Sequence, residues 1–177
     1  MSRRFLIAML VLVAATAASC KDRKQDGSEA IQPVSFNTAG LAIPDVGGKK
    51  LRGQVLYMPV YSNIPFNEKA NYGISAFLAV HNTDLANQIK ITKVVFFNTD
   101  GMVIKNFLES VQVLGPLATA IFTVPQKVPN GTGANFLVEW TADRPVNEPL
   151  TESVMKDLSG GRGISFLSTG RVVREIP

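Results

Sequence analysis

Residues 89–107, IKITKVVFFNTDGMVIKNF, consist of two apolar, β-branched runs separated by the turn-forming residues 98–101. Val, Ile, Thr and Phe favour β-strands, and an Asp-Gly pair between two such runs is a strong signal of a β-hairpin. We therefore predict one strand from Ile89 to Phe97 and a second from Val103 to Phe107. The same succession of short apolar runs and turns continues on both sides of this hairpin.

The neighbouring runs show the period of two that is typical of half-buried strands. In Tyr72–Val80 every second residue from Ile74 onward is apolar, and in Ala134–Trp140 the residues Phe136, Val138 and Trp140 share one face, which we predict to be core. The remaining strand-like runs are residues 54–64, 111–124 (divided by Gly115-Pro116) and 163–169, with a possible continuation to 176.

One segment, residues 147–160 (NEPLTESVMKDLSG), has the features of a helix. Asn147 is a suitable N-cap, Leu150, Val154 and Leu158 form a stripe, and Gly160 is a suitable stop. We therefore expect one short helix here.

Seven or eight short strands with at most one short helix predict an all-β fold, an immunoglobulin-like, Greek-key β-sandwich. Cys20 is the only cysteine, so no internal disulfide supports this domain and it depends on its apolar core. We place the sandwich at residues 51–177.

The N-terminus has the pattern of a bacterial signal peptide. Arg3 and Arg4 provide a cationic start, residues 5–13 (FLIAMLVLV) are apolar but too few to span a bilayer, and residues 14–19 are small. Residues 17–20, AASC, resemble a lipobox, in which the cysteine is acylated and becomes the first residue of the mature chain. Ordinary secretory cleavage and an uncleaved anchor are the alternatives. Lipidation of Cys20 is favoured because a lone thiol is reactive in an oxidising compartment unless it is consumed.

These features predict a signal peptide at 1–19, an acylated N-terminus and polar tether at 20–50, and an exported domain held on a bacterial membrane by its lipid, diacylglyceryl and palmitate. Each buried methylene of such a lipid contributes about 0.8 kcal/mol to membrane binding. Lys21 after the cysteine favours the outer membrane if the cell has two membranes.

Composition and motifs argue against several classes of function. The net charge is only +4, and Arg3 and Arg4 contribute two of those charges, so the sequence does not predict nucleic-acid binding. The single histidine, His81, excludes a site with several histidine ligands. The Gly160–Gly163 segment lacks the Lys-Ser/Thr of a phosphate loop. We predict no cofactor, no metal and no catalytic residue.

Two other functions stay open at this stage. An envelope hydrolase would need a serine, such as Ser62 or Ser75, brought close to His81 by the fold. A calcium- or carbohydrate-binding sandwich would use loop oxygens, with candidate calcium ligands at Asn82, Asp84, Asn98 and Asp100. Asn and Asp are also the ordinary residues of turns, which is the simpler interpretation.

The candidate partner-binding residues are Tyr57, Met58 and Tyr61. Residues 54–64 (QVLYMPVYSNI) are apolar on both faces and contain Pro59, which cannot donate to a central ladder, so we predict an edge strand or a strand with a bulge. An uncovered apolar face requires cover from the same chain, an envelope protein or a second copy. Tyrosine is common at such interfaces.

Four segments resemble an uncharacterised family of bacterial lipoproteins known as the domain of unknown function DUF3124. They are residues 55–64, 82–84, 133–140 (GANFLVEW, the most specific) and 163–172, so the resemblance covers about residues 50–176. It implies an exported, membrane-anchored β domain and supplies no activity, cofactor or catalytic residue. Such relatives often have Arg where this chain has His81, which argues against a required histidine. Our expectation is a non-enzymatic lipoprotein that acts as a binding or assembly module in the cell envelope.

Overall fold

The computed structural model describes residues 50–177 except 69, 125–131 and 158–162. The predicted signal peptide, Cys20 and nearly all of the tether lie outside the described residues. The described part contains twelve strands and no helix, so the all-β prediction is confirmed. The strands are β1 (Lys50–Pro59), β2 (Asn63–Asn67), β3 (Ala70–Gly73), β4 (Ser75–His81), β5 (Ile89–Phe97), β6 (Val103–Asn106), β7 (Gln112–Leu114), β8 (Thr119–Val124), β9 (Asn135–Asn147), β10 (Leu150–Asp157), β11 (Ile164–Thr169) and β12 (Arg171–Glu175).

The strands form two main antiparallel sheets and a small hairpin. The first sheet has the order β12-β1-β9-β5-β6, and β7 also pairs with β5. The second sheet has the order β11-β10-β4-β8, and β2 pairs with β3. Strand β9 is central in the first sheet, between β1 and β5, and β4 is internal in the second sheet, between β10 and β8. The two antiparallel sheets are consistent with a β-sandwich. Within the described residues no helix is long and apolar enough to span a membrane.

The core lies between the two sheets and is built from alternate residues of each strand. In β9 the burial alternates from Asn135 onward, and Phe136, Val138 and Trp140 are fully buried, as predicted. The rings of Phe96 and Phe136 lie 5.1 Å apart between their centroids. The indole N–H of Trp140 donates to Oε1 of Gln54 at 3.3 Å. The core therefore satisfies the one polar group that its largest side chain carries.

The hairpin at residues 98–101 is confirmed. Asn98 Oδ1 accepts from the backbone N–H of Asp100 (3.0 Å) and of Met102 (2.9 Å). Gly101 has a φ of +75°, which few other residues adopt without strain. The Asp-Gly pair therefore marks the turn because the turn needs this backbone conformation.

The predicted number of strands, seven or eight, was too low because several apolar runs contain two strands. The run at 54–64 contributes to β1 and β2, and the backbone between them leaves the ladder at Val60, whose N–H donates to the carbonyl of Ala134 at 3.0 Å. The C-terminal run is divided at Gly170, where the chain passes from β11 in the second sheet to β12 in the first.

The predicted helix at 147–160 was wrong, because residues 150–157 form β10, which pairs with β4 and β11. The buried positions of β10 are Thr151, Ser153, Met155 and Asp157. Three of these four are polar, so the buried positions do not stand out as apolar residues at a period of two. The outward residues Leu150 and Val154 are apolar and four positions apart, which is also the spacing of one face of a helix. Pairing with neighbouring strands decides the structure here. The predicted helix end, Leu158 to Gly160, lies outside the described residues.

Candidate binding surface

Strand β1, which carries the candidate residues Tyr57 and Met58, lies inside the first sheet. Successive residues of β1 pair with β12 on one side and with β9 on the other, so the predicted edge strand is wrong. The alternative prediction, a bulge, agrees with the shift of register between Val55 and Leu56 in the ladder with β12. Pro59 is tolerated because it stands at the end of β1, beyond the last pair with β12, which is Tyr57 with Arg171. Its carbonyl accepts hydrogen bonds from the hydroxyls of Ser153 (2.8 Å) and Ser168 (2.6 Å).

Only part of the predicted residue set is accessible. Met58 is 0% exposed, so its prediction as a partner-binding residue is wrong. Alternation along β1 turns Leu56 and Met58 towards the core and Tyr57 away from it, and Tyr57 is 40% exposed. The sequence could not reveal this because both faces of the run are apolar.

Tyr57 belongs to a row of side chains that crosses the outer face of the first sheet. Its cross-strand partners are Arg171 on β12 and Leu137 on β9, and Leu137 in turn pairs with Val95 on β5. Leu137 and Val95 are half-buried. We call this row, with the adjacent Phe97, the Tyr57 face.

Charged residues border the Tyr57 face on one side. In the next row Glu139 lies between Lys93 and Arg174, with Oε2 at 3.5 Å from Lys93 Nζ and 3.4 Å from an Arg174 guanidinium nitrogen. Together with Arg171 these residues place three cations and one carboxylate beside the apolar row. The surface combines an exposed tyrosine, aliphatic side chains and a positive margin.

Tyr61 occupies a different part of the molecule. It is 37% exposed, and its ring centroid lies 6.4 Å from that of Phe166 on β11. Phe166 packs against the core from the second sheet, whereas Tyr57 points away from the core on the outer side of the first sheet. The structure therefore does not bring the two tyrosines onto one face.

The Asn82-Thr83-Asp84 turn ties three loops together at one end of the sandwich. The Asn82 amide donates to the carbonyls of Asn87 (2.8 Å) and Gly115 (2.8 Å). Thr83 Oγ1 donates to the carbonyl of Glu148 at 2.8 Å. Sequence reasoning identified a turn here, and the structure shows that this turn organises the whole end of the fold.

Asp84 provides the carboxylate of this turn, and it is only 4% exposed. Oδ1 accepts from the backbone N–H of Ala86 and of Asn87, and from the Asn87 amide, and Oδ2 accepts from the N–H of Asn147 at 3.0 Å. Burial raises the pKa of Asp84, but these hydrogen bonds outweigh it, so the net pKa is lowered from 3.8.

The candidate calcium ligands Asp84 and Asn98 form turns in this structure, which was the simpler interpretation of their sequence. The oxygens of Asp84 are occupied by N–H donors, and Asn98 Oδ1 accepts from two backbone N–H groups of its own hairpin. Across the described ranges, no three His, Cys, Asp or Glu side chains are grouped closely enough to hold a metal. The geometry gives the calcium alternative no support.

The structure also does not assemble the serine site of the hydrolase alternative. Ser75 and His81 stand six residues apart on β4, which corresponds to about 20 Å along a strand. Ser62 is fully buried, and the hydroxyl of Ser75 donates to the carbonyl of Lys156 at 3.0 Å. His81 Nδ1 instead lies 2.8 Å from Thr119 Oγ1 on the outer face of the second sheet.

A polar cleft of about 360 Å³ lies beside the Asp84 turn and was not foreseen from the sequence. Its lining includes the carboxylate of Asp143 but no serine, cysteine or histidine. Its lining residues are Ala86, Asn87, Gln88, Pro116, Asp143 and Arg144.

Comparison with known proteins places the chain in a family. The profile of the family described as "Protein of unknown function (DUF3124)" matches residues 53–173, from β1 to β12. The chain belongs to this family. The matched range contains the Tyr57 face and the Asp84 turn, whereas Cys20 precedes it. The predicted resemblance is therefore confirmed for the domain.

A solved structure, that of Thermotoga maritima 1070, is similar at 12% sequence identity with a TM-score of 0.39. The similarity covers 69% of this chain and 94% of that one. No curated protein matches the chain.

Proposed function

We propose that this protein is a non-enzymatic lipoprotein, anchored through an acylated Cys20 to a bacterial membrane, whose β-sandwich binds or assembles a partner in the cell envelope. The observation that carries the binding role is the Tyr57 face. It combines an exposed tyrosine with half-buried aliphatic residues on the side of the sheet that faces away from the core. Exposed apolar surface of this kind is typical of interaction sites.

The membrane role is supported by the N-terminal sequence. A cationic start, a short apolar run and small residues precede the only cysteine of the chain. The charge following Cys20 is Lys21, which favours the outer membrane where two membranes exist. Because the lipid does the anchoring, the domain itself is available for a partner.

The partner chemistry follows from the border of the Tyr57 face. Arg171, Arg174 and Lys93 outnumber Glu139, so a protein surface that presents apolar side chains next to carboxylates is complementary to it. Tyr57 supplies ring area for burial and a hydroxyl for a hydrogen bond.

Crosslinking in cells tests the binding role. We expect Tyr57→Ser to lower the yield of crosslinked partner while the purified protein keeps its melting temperature, because the ring is exposed and contributes little to the core. Tyr72→Ser is the matched control, since Tyr72 is 39% exposed but lies on the separate β2–β3 hairpin. Equal yields from wild type and Tyr57→Ser, or an equal loss from Tyr72→Ser, would contradict the proposal.

A further inference from the structure

The edge strands of the two sheets are protected very differently. A sheet edge offers unpaired backbone groups to other chains, and proteins guard it with charges, proline, bulges or short strands. In the first sheet, β12 (RVVRE) carries three charges and its ladder with β1 has a bulge between Val55 and Leu56. At the opposite edge, β6 (VIKN) contains Lys105 and its ladder with β5 is also irregular.

Strand β8 of the second sheet has none of these protections. Its sequence, TAIFTV, contains no charge and no proline, and its six residues pair with β4 without a bulge. Among the described residues β8 pairs with β4 alone, so every second residue directs its N–H and C=O outward. Ile121, at its middle, is 63% exposed.

The other edge of this sheet, β11, is joined to the first sheet at its C-terminal end. Strand β11 is also uncharged, but it continues through Gly170 into β12, and its Ser168 hydroxyl bonds to the carbonyl of Pro59. The ring of Tyr61 covers Phe166. An incoming strand therefore has better access to β8.

The side chains of β8 are complementary to a second copy of the same strand. In an antiparallel pair centred on Ile121, Thr119 stands opposite the second copy's Thr123 and the two Ile121 residues face each other on the outer side. On the inner side the small Ala120 stands opposite the large Phe122. Such Thr–Thr and aliphatic pairs stabilise sheets, and no like charges oppose each other because the strand has none.

We propose that β8 pairs with β8 of a second copy about a two-fold axis through Ile121, joining the two second sheets into one continuous eight-stranded sheet. This closed, isologous contact goes beyond the proposed function and depends neither on Cys20 nor on the Tyr57 face. It covers a six-residue, regular and uncharged edge strand that, among the described residues, pairs with β4 alone.

Disulfide trapping tests the register. At the axis the two Cα atoms of residue 121 lie about 4.5–5.5 Å apart, within the range of a disulfide. Each residue 119 lies about 13 Å along the strand from its own copy. In membranes treated with a mild oxidant, we expect Ile121→Cys to form a crosslinked dimer in at least about tenfold higher yield than Thr119→Cys or Thr123→Cys. Wild type, with Cys20 alone, is the control.

A charge placed at the axis tests the dimer in a second way. The mass of the full protein in detergent, measured by native mass spectrometry, should be that of a dimer for wild type and of a monomer for Ile121→Lys. Leu167→Lys is the matched control, because Leu167 is 58% exposed on β11 of the same sheet, and it should stay dimeric.

Three outcomes overturn the proposal. One is a monomeric wild type, which would mean that another segment or partner covers β8. The second is equal crosslinking from positions 119, 121 and 123, which would indicate random collision. The third is a dimer that Ile121→Lys leaves intact. A dimer that persists when Tyr57→Ser abolishes partner crosslinking would separate this inference from the proposed function.

Discussion

Among single residues, we expect Asp84 to contribute more to the stability of the fold than an ordinary turn residue does. Its two oxygens hold N–H groups from both the 84–87 turn and β9, so its charge joins two parts of the chain. Asp84→Asn keeps the size but replaces one acceptor by a donor that faces an N–H. We expect a loss of about 2 kcal/mol of unfolding free energy at pH 7, measured by urea denaturation. Asp143→Asn, at an exposed pair with Lys90, should change it by less than about 1 kcal/mol.

The pH dependence of this loss has a defined direction. Because the pKa of Asp84 is lowered in the folded state, its charge stabilises the fold at pH values above 3.8, and this stabilisation is lost as the pH falls through the folded pKa. The stability difference between wild type and Asp84→Asn should therefore shrink between pH 5 and the acid limit of folding. A difference that stays constant over that range would show that the charge is not responsible.

The core positions of β9 could be predicted from the sequence because every second residue there is a large apolar one. Phe136 is fully buried and its ring lies 5.1 Å from that of Phe96 and 5.6 Å from that of Phe107. We expect Phe136→Ala to cost about 3–5 kcal/mol of unfolding free energy. Phe77→Ala, on the half-buried outer face of β4, is the comparison and should cost clearly less. Equal losses would contradict this assignment of inner and outer faces.

At the scale of elements, β1 is the strand that the sequence describes least well. Its two apolar faces and its proline suggested an edge, but pairing with β9 and β12 depends on residues more than 70 positions away in the chain. Pairing with those strands fixes which face of β1 points to the core, and therefore that Met58 is buried and Tyr57 exposed. The sequence therefore indicated the right segment for a surface but not which of its side chains are available.

The crowded position of β1 leads to a prediction at Gly53. A Cβ added there would lie 2.7 Å from the backbone oxygen of Trp140, and a backbone atom in a paired strand has little room to move. We expect Gly53→Ala to lower the unfolding free energy by about 1–3 kcal/mol. Gly115→Ala, where a Cβ meets nothing within 4 Å, is the control and should have little effect. Equal stability of the two variants would contradict the placement of β1 against β9.

Strand β10 could not be predicted from the hydropathy pattern, for a different reason. Its inward positions are mostly polar: the Ser153 hydroxyl donates to the carbonyl of Pro59, whereas the Thr151 hydroxyl is buried with no hydrogen-bond partner among the described residues. A pattern of hydropathy cannot show that a buried hydroxyl has a partner. Where inward residues are apolar, as in β4, β5 and β9, period two predicted the strands well.

At the scale of the whole molecule, the fold separates its surfaces. The Tyr57 face lies on the outer side of the first sheet, β8 borders the second, and the Asp84 turn closes one end.

His81 belongs to none of the core contacts, and its Nδ1 lies near the hydroxyl of Thr119 on the half-exposed outer face of β4. We expect His81→Ala to leave partner crosslinking unchanged and to alter the melting temperature little. A hydrolytic activity that this substitution removes would favour the enzyme alternative instead.

The proposed attachment to the membrane would depend on one atom, the Cys20 sulfur. The most direct measurement compares wild type with Cys20→Ala in cells supplied with labelled palmitate, followed by gel analysis of the chain. Our account predicts label in wild type, none in Cys20→Ala, and an unprocessed precursor of the variant, because the acylated thiol is what the lipoprotein peptidase requires. A Cys20→Ala protein that still carries the label and remains on the membrane would contradict the account.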